Sequence, residues 1–385
     1  MLNFLKKKEG SYLGMDLGTS SIKLVELENV GGRPRLFTYG SVEVDTNVSR
    51  NEAQADREKV ASIIKALVTK SGARSRQVIA ALPNFSVFSS VISLPQLGQK
   101  QLTEAVQWEA KKFVPMPIEN VVLDWKILDQ TPNAGQVQVP EEQQQAGQEG
   151  KGARAAASGN LAKCKTIVKI LLTAAPKHLV ERYVSIFKLA EMKLLSLETE
   201  SFALSRSLVG NDPSSILIVD VGSLTTDLTV VEKGVPALAR SIDVGGKTVT
   251  QAIADSMGIS LERAEQFKRD VGLGNMLSHL SADKQKDEGV GQIINQSFAP
   301  VINEMKYSLE LHHSQGKARI EKILITGGSS FLPSLPDYLT QSLGIKAYIG
   351  NPWARISYPK DLTDVLDQLA PSMAVSVGLA MREIE

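Results

Sequence analysis

At 385 residues, 43% of them hydrophobic, the chain is long enough to bury a sizeable core in more than one domain. Its 43 Lys and Arg against 42 Asp and Glu leave a net charge of +1, which supplies no bulk attraction to nucleic acid or acidic lipid, so no nucleic-acid partner is expected. The single cysteine, Cys164, excludes an intrachain disulfide, and no apolar run approaches the length of a membrane span, which together predict a cytosolic chain.

In chain order, residues 1–9 carry Lys6, Lys7 and Lys8 with no signal-peptide core behind them and read as a frayed terminus. Residues 12–28 form an apolar run that stops at Asp16, turns at Gly18 and resumes at Ile22. Such a hairpin turn offers backbone N–H groups to an anion. Gly18 lets a phosphate approach the main chain, Thr19, Ser20 and Ser21 add hydroxyl donors, Lys23 adds a cation, and Asp16 can hold water around Mg²⁺. The same turn also serves plain hairpins, so alone it leaves both readings open. Residues 34–44 read as a third strand. Residues 56–70 read as a helix with Val60, Ile63, Ile64, Leu67 and Val68 on one face, and 77–82 as a strand inside a mixed sheet.

Pro83 opens a segment of different character, with a strand at 86–93, a helix at 102–113, a rigid run through Pro115 and Pro117, and a strand at 121–128. This predicts a small α+β subdomain, 83–162, inserted into a first half made of 1–82 and 163–210. Leu102, Val106 and Phe113 share one helical face. Trp108 lies off it, either packed under the Pro-rich turn or exposed as an anchor for a partner peptide. Residues 130–160, rich in Gln and Gly, read as a disordered loop. A strand at 163–174, containing Cys164 as a buried thiol, leads to Pro176. The helix that follows is faced with Leu179, Tyr183, Ile186, Phe187 and Ala190, then come a strand at 194–197, a helix at 201–209 and a hinge-like turn at 210–213.

The second half, 211–385, repeats the plan. Asp220, Gly222 and Ser223 align on Asp16, Gly18 and Thr19, with Leu224 and Thr225 completing the turn. A strand at 236–242 precedes Gly245, Gly246 and Lys247, which open a helix at 248–257. The next helix, 261–268, brings Glu265 and Lys268 to one face, where the plain reading is a surface ion pair. A polar stretch at 272–289 precedes a long helix at 293–313, the whole of 247–317 reading as a helical subdomain. A third turn, Gly327, Gly328 and Ser329, follows the strand at 322–325, and after a strand at 346–349 the last helix is expected over 372–383.

Two Asp-x-Gly-[Thr/Ser] hairpins, one per half, with a late Gly-Gly turn resemble the actin-like ATPase family. That resemblance implies an α/β fold of two RNase H-like halves around a cleft that holds ATP and Mg²⁺. Gly245 to Lys247 and Ala264 to Lys268 resemble the branch containing the cell-division protein FtsA. Residues 106–118 and 121–125, with Asn351, Pro352 and Trp353, resemble the PilM family of type IV pilus assembly proteins. The implied protein is an adaptor at the inner face of the inner membrane. It binds the N-terminal cytoplasmic tail of the membrane protein PilN between core and inserted subdomain, links the envelope complex to pilus motor components, and has some prospect of self-association. The insertion at 130–160 departs from that pattern.

By the same resemblance, Asp16, Gly18, Thr19, Ser20, Ser21 and Lys23 hold one phosphate side, and Asp220, Gly222, Ser223, Leu224 and Thr225 the other. Asp16 and Asp220 would serve Mg²⁺ and any catalysis. Gly245, Gly246, Lys247, Glu265 and Lys268 would meet ribose and base, with Gly327, Gly328 and Ser329 opposite. Hydrolysis needs a positioned water. Glu181 is the candidate, equally readable as a solvated helix residue, so ATP binding with slow or negligible turnover is expected. The alternatives are an FtsA-like polymerising protein, which would carry a membrane helix that this sequence, closing at Glu385, does not show, and an ATP-dependent small-molecule kinase.

Overall fold

The computed structural model describes residues 10–46, 53–131, 167–273, 284–314 and 316–384. Cys164, Lys6 to Lys8 and nearly all of the Gln-rich stretch lie outside the described residues.

The first apolar run folds as β1 (Ser11–Leu17) and β2 (Ser21–Val30), antiparallel with Asp16 opposite Lys23, and β3 (Arg33–Glu43) extends the meander. On the other side of β1, β4 (Gln77–Leu82) and β8 (Lys193–Thr199) add in parallel, giving the order β3-β2-β1-β4-β8. The second half repeats this plan. The hairpin β9 (Ile216–Val221) and β10 (Thr226–Glu232) continues into β11 (Val235–Ile242), and β12 (Lys322–Thr326) and β13 (Ala347–Ile349) add in parallel, in the order β11-β10-β9-β12-β13. The unbroken apolar runs of β4 and β9 are what a strand covered on both faces requires. Val78 to Leu82 and Ile216 to Val219 are all buried.

Helices supply the cover. In the first half α1 (Gln54–Lys70) contributes Ile64 and Leu67, packed with Leu13, Met15 and Val78. Past the inserted segment, α3 (Lys177–Leu189) adds Tyr183, Ile186 and Phe187 to the same core.

Between β4 and α3 sits a separate three-stranded sheet of β5 (Phe88–Pro95), β6 (Val121–Thr131) and β7 (Ile167–Pro176), with α2 (Gln99–Phe113) against it. Its order is β5-β7-β6, so the strand expected at 163–174 within the first half is instead the centre of the inserted sheet. Val168, Ile170, Leu172 and Ala174 fill one core with Ile92, Leu102, Val106 and Ala110. The fourfold spacing of Leu102, Val106 and Ala110 sets the buried stripe, which leaves Phe113, expected in it, 47% exposed. Trp108 is 66% exposed, with the Lys112 ammonium 5.0 Å from its ring, so it does not pack under the Pro-rich turn.

After β8 the chain makes α4 (Glu200–Leu204), which widens into one π turn, Ser205–Val209. In the second half α5 (Gly246–Met257), α6 (Leu261–Val271), α7 (Lys284–Ser314) and α8 (Leu335–Leu343) bury Ile253, Ala264, Phe298, Met305 and Leu339 against Leu217 and Val219. The last helix, α9 (Thr363–Met381), starts well ahead of the expected 372 because Pro371 lies inside it rather than at its first turn. Its Met373, Val377 and Met381 pack on Val25 and Leu27 of the first half and on Trp353, while Ala374 and Leu379 join Ile216 and Ile218 of the second. Gly378 makes this possible: a Cβ there would overlap the Ala203 carbonyl.

Candidate nucleotide cleft between two glycine hairpins

One cleft of about 1110 Å³ runs between the halves, with the two hairpin turns on opposite walls. From the first half Asp16, Gly18, Thr19, Ser20, Ser21 and Lys23 line it, and from the second Asp220, Gly222, Ser223, Thr225, Gly246, Lys247, Glu265, Lys268, Gly327, Gly328 and Ser329. The structure thus brings together nearly every residue singled out in the sequence. Leu224 and Gly245 do not line the wall: Gly245 is buried with no room for a Cβ beside the Ser223 backbone. Its role is to let three turns converge. Gly246 N–H donates to the Gly222 carbonyl (3.0 Å), Lys247 N–H to Ser223 (2.8 Å) and Ser329 N–H to Val221 (3.0 Å). Gly327, at φ +93°, passes so close to the Asp220 carboxylate that a side chain there would be strained and crowded.

Glu265 and Lys268 are more than a surface pair. Lys268 is 7% exposed, and its ammonium donates to the Gly246 carbonyl (3.1 Å), the Thr250 hydroxyl (2.9 Å) and Glu265 Oε2 (2.6 Å). Those three bonds use all three of its protons, so Lys268 aims Glu265 into the cleft while Arg269 holds the other carboxylate oxygen at 3.0 Å. Burial pushes the Glu265 carboxyl up, but the bonds from Lys268 and Thr250 outweigh it and leave it below the usual carboxylate range. Lys247 reaches across the mouth to the Thr46 hydroxyl, 2.8 Å away.

The floor is acidic. Lys23 is 3.4 Å from Asp16. In the second hairpin the position opposite Asp220 holds Asp227 instead of a lysine. Asp227 accepts from the Ser241 and Thr225 hydroxyls, and burial, partly offset by those bonds, raises it to about 6. Burial and the charges of Asp227 and Asp16 raise Asp220 to about 7, against a lowering pull from Lys23. Glu200, at the start of α4, also lines the cleft. Burial and the charges of Asp227, Asp16 and Asp220 push its carboxyl well above the usual range, opposed by the Asn84 N–H that it accepts at 3.0 Å. Four carboxyls with one paired lysine make a site that favours a divalent cation. Among the described residues no three Asp, Glu, His or Cys side chains group closely enough to hold a metal by themselves. Asp16, Asp220, Asp227 and Glu200 could serve a hard cation that takes its remaining ligands from a bound guest and water.

Sequence reasoning missed Asp227 and Glu200. Asp227 was readable, because Asp220 and Asp227 stand at the same spacing as Asp16 and Lys23 about a turn of the same length. Glu181 falls the other way. It is exposed and outside the cleft, and the residues that α3 places in the wall are His178, Leu179, Arg182 and Tyr183.

A family model described as type IV pilus assembly protein PilM matches residues 14–140 and 158–384. The chain is similar to a solved structure described as the PilM-PilN type IV pilus biogenesis complex, at 27% identity and a TM-score of 0.76, over 98% of this chain and 99% of that one. MreB 5 of Spiroplasma citri, bound to AMPPNP, shares the fold at a TM-score of 0.51 and 14% identity, over 96% and 95% of the two chains. The cell division protein FtsA of Enterococcus faecalis is 23% identical over 375 residues, 89% of this chain and 80% of that protein. The doubled sheet, the opposed turns and a family match along most of the sequence agree: the chain belongs to the PilM family of type IV pilus assembly proteins and has the actin-like fold.

Proposed function

We propose that this protein is an ATP-binding scaffold of type IV pilus assembly that captures the N-terminal cytoplasmic tail of PilN and ties the envelope complex to the pilus motor. The observation that carries the reading is the pair of opposed Asp-x-Gly turns on a single cleft in a chain that is similar to the PilM-PilN structure over 98% of its length. Gly18 to Ser21 and Gly222 to Thr225 supply phosphate donors from the two walls, and Glu265 offers a carboxylate to ribose hydroxyls. Asp16 and Asp220 would hold Mg²⁺ through water, and the ion would supply positive charge to the phosphates. With Glu181 outside the cleft, ATP acts as a bound strut with slow or negligible turnover.

Exposed Trp108 on the inserted subdomain offers an anchor for the partner tail. Among the described residues no helix is long and apolar enough to cross a membrane, and PilN would bring the protein to the inner membrane face. The test combines titration of ATP with pull-down by a synthetic PilN tail. Lys23→Ala and Asp220→Ala should lose ATP, and the tail should bind more tightly with ATP present, since a ligand shifts the angle between halves only by its differential affinity. Undiminished ATP binding by both variants would show the cleft to be misassigned. The FtsA likeness keeps a second reading, a polymerising protein, which pelleting of filaments with ATP would favour.

A further inference from the structure

Two side chains of α3, His178 and Arg182, stand one helical turn apart and both line the cleft, while Glu181 beside them points elsewhere. Arg182 also walls a small cavity beneath the first turn together with Leu17, Gly18 and Tyr183, so its side chain lies directly against the phosphate hairpin. On the second-half wall Lys268 and Arg269 gather on Glu265, 2.6 and 3.0 Å away, and Lys247 bonds Thr46. On the first-half wall the positive groups are Lys23, next to Asp16, and Arg182. The nucleoside end, built around Glu265, belongs to the other wall, so Arg182 meets a bound nucleotide at its phosphate end.

We infer that Arg182, seconded by His178, contacts the terminal phosphate of a nucleoside triphosphate and makes the cleft prefer the triphosphate to the diphosphate. This rests on the nucleotide reading above. A guanidinium presents a planar fork of donors matched to phosphate oxygens, and it holds its proton throughout the working pH range. It can therefore recognise the terminal phosphate but cannot serve as a base for the water that would cleave it. Arg182 is a specificity-determining residue on this account: α3 senses whether the third phosphate is present.

Titration calorimetry of the full chain with Mg²⁺ and either ATP or ADP tests this. Arg182→Ala should weaken ATP by about tenfold or more while ADP stays within about twofold, and Arg182→Lys should recover part of the ATP affinity, as loss and partial return of a charged hydrogen bond predict. His178→Ala should lower ATP affinity less and in the same selective sense. An unchanged ratio of ATP to ADP affinity, or equal loss of both, overturns the inference while the cleft assignment stands. A wild-type protein that binds neither nucleotide overturns both. Should Arg182→Ala fail to fold, Arg182→Lys decides alone: a loss confined to ATP supports the assignment and a parallel loss refutes it.

Discussion

Replacing Asp220 by Asn should stabilise the nucleotide-free protein and do so more strongly as pH rises. The carboxyl of Asp220 is lifted from its ordinary 3.8 to about 7 by burial and by its acidic neighbours. A group raised in the fold contributes its full stability below the unfolded value and loses it as pH climbs through the folded one. The wild type therefore weakens between about pH 4 and pH 7. At ~1.4 kcal/mol per pKa unit the full penalty above pH 7 reaches ~4 kcal/mol, and residual solvent contact and coupling to Asp227 reduce it to about 1–3 kcal/mol. Asn carries no charge to bury, so its advantage over wild type should widen by about 1–2 kcal/mol between pH 5 and pH 8, a gain of a few °C in Tm. Thermal unfolding at pH 5, 6, 7 and 8 without nucleotide or divalent metal reads this out. A difference that stays flat with pH, or shrinks, would refute the picture of a protonated Asp220 in the empty cleft. The same variant should bind Mg²⁺ and ATP poorly, an opposition of stability and function expected of a built ligand site.

Four further outcomes follow from the geometry. Lys268→Met should lower nucleotide affinity nearly as much as Glu265→Gln, and the double variant should show little additional loss, because the lysine acts through the carboxylate; additive losses in a binding cycle would contradict this. Gly378→Ala should destabilise by about 2 kcal/mol or more by forcing α9 off the Ala203 carbonyl, measurable by chemical denaturation, and a neutral result would mean a looser helix crossing. Glu181→Ala should leave ATP affinity and any residual turnover unchanged, as fits a residue facing solvent; a drop in phosphate release would return it to the site. Trp108→Ala should change stability by less than about 0.5 kcal/mol yet weaken capture of the PilN tail, and equal capture would place the partner elsewhere.

The hairpins were legible because a short apolar run, an Asp-x-Gly turn and a second run are local signals, and their recurrence exposed the doubled sheet. What was not legible depended on long-range placement. Glu200, close behind Glu198 at a strand-to-helix junction, looks in sequence like any solvated helix start, and it enters the cleft because the start of α4 is tied to Asn84 after β4 and, through the Ser201 hydroxyl, to Thr229 of the second hairpin. The membership of β7 in the inserted sheet could not be read from its apolar pattern, which suits the middle of either sheet. Pro371 misplaced the start of α9 because a proline normally opens or breaks a helix. Here its carbonyl accepts from the Thr326 hydroxyl (2.7 Å) and the Gly327 N–H (3.1 Å), a use that only tertiary structure reveals.

The residue opposite each hairpin aspartate has one more consequence. Two faithful copies of one hairpin would meet a ligand with the same chemistry from either side, leaving it no reason to lie one way round. With Lys23 facing Asp16 and Asp227 facing Asp220, the duplicated motif has diverged in charge at that register position. That difference gives the cleft a polarity, an ion-paired aspartate at one turn and two facing carboxyls at the other, so the two turns offer a charged guest unlike surroundings.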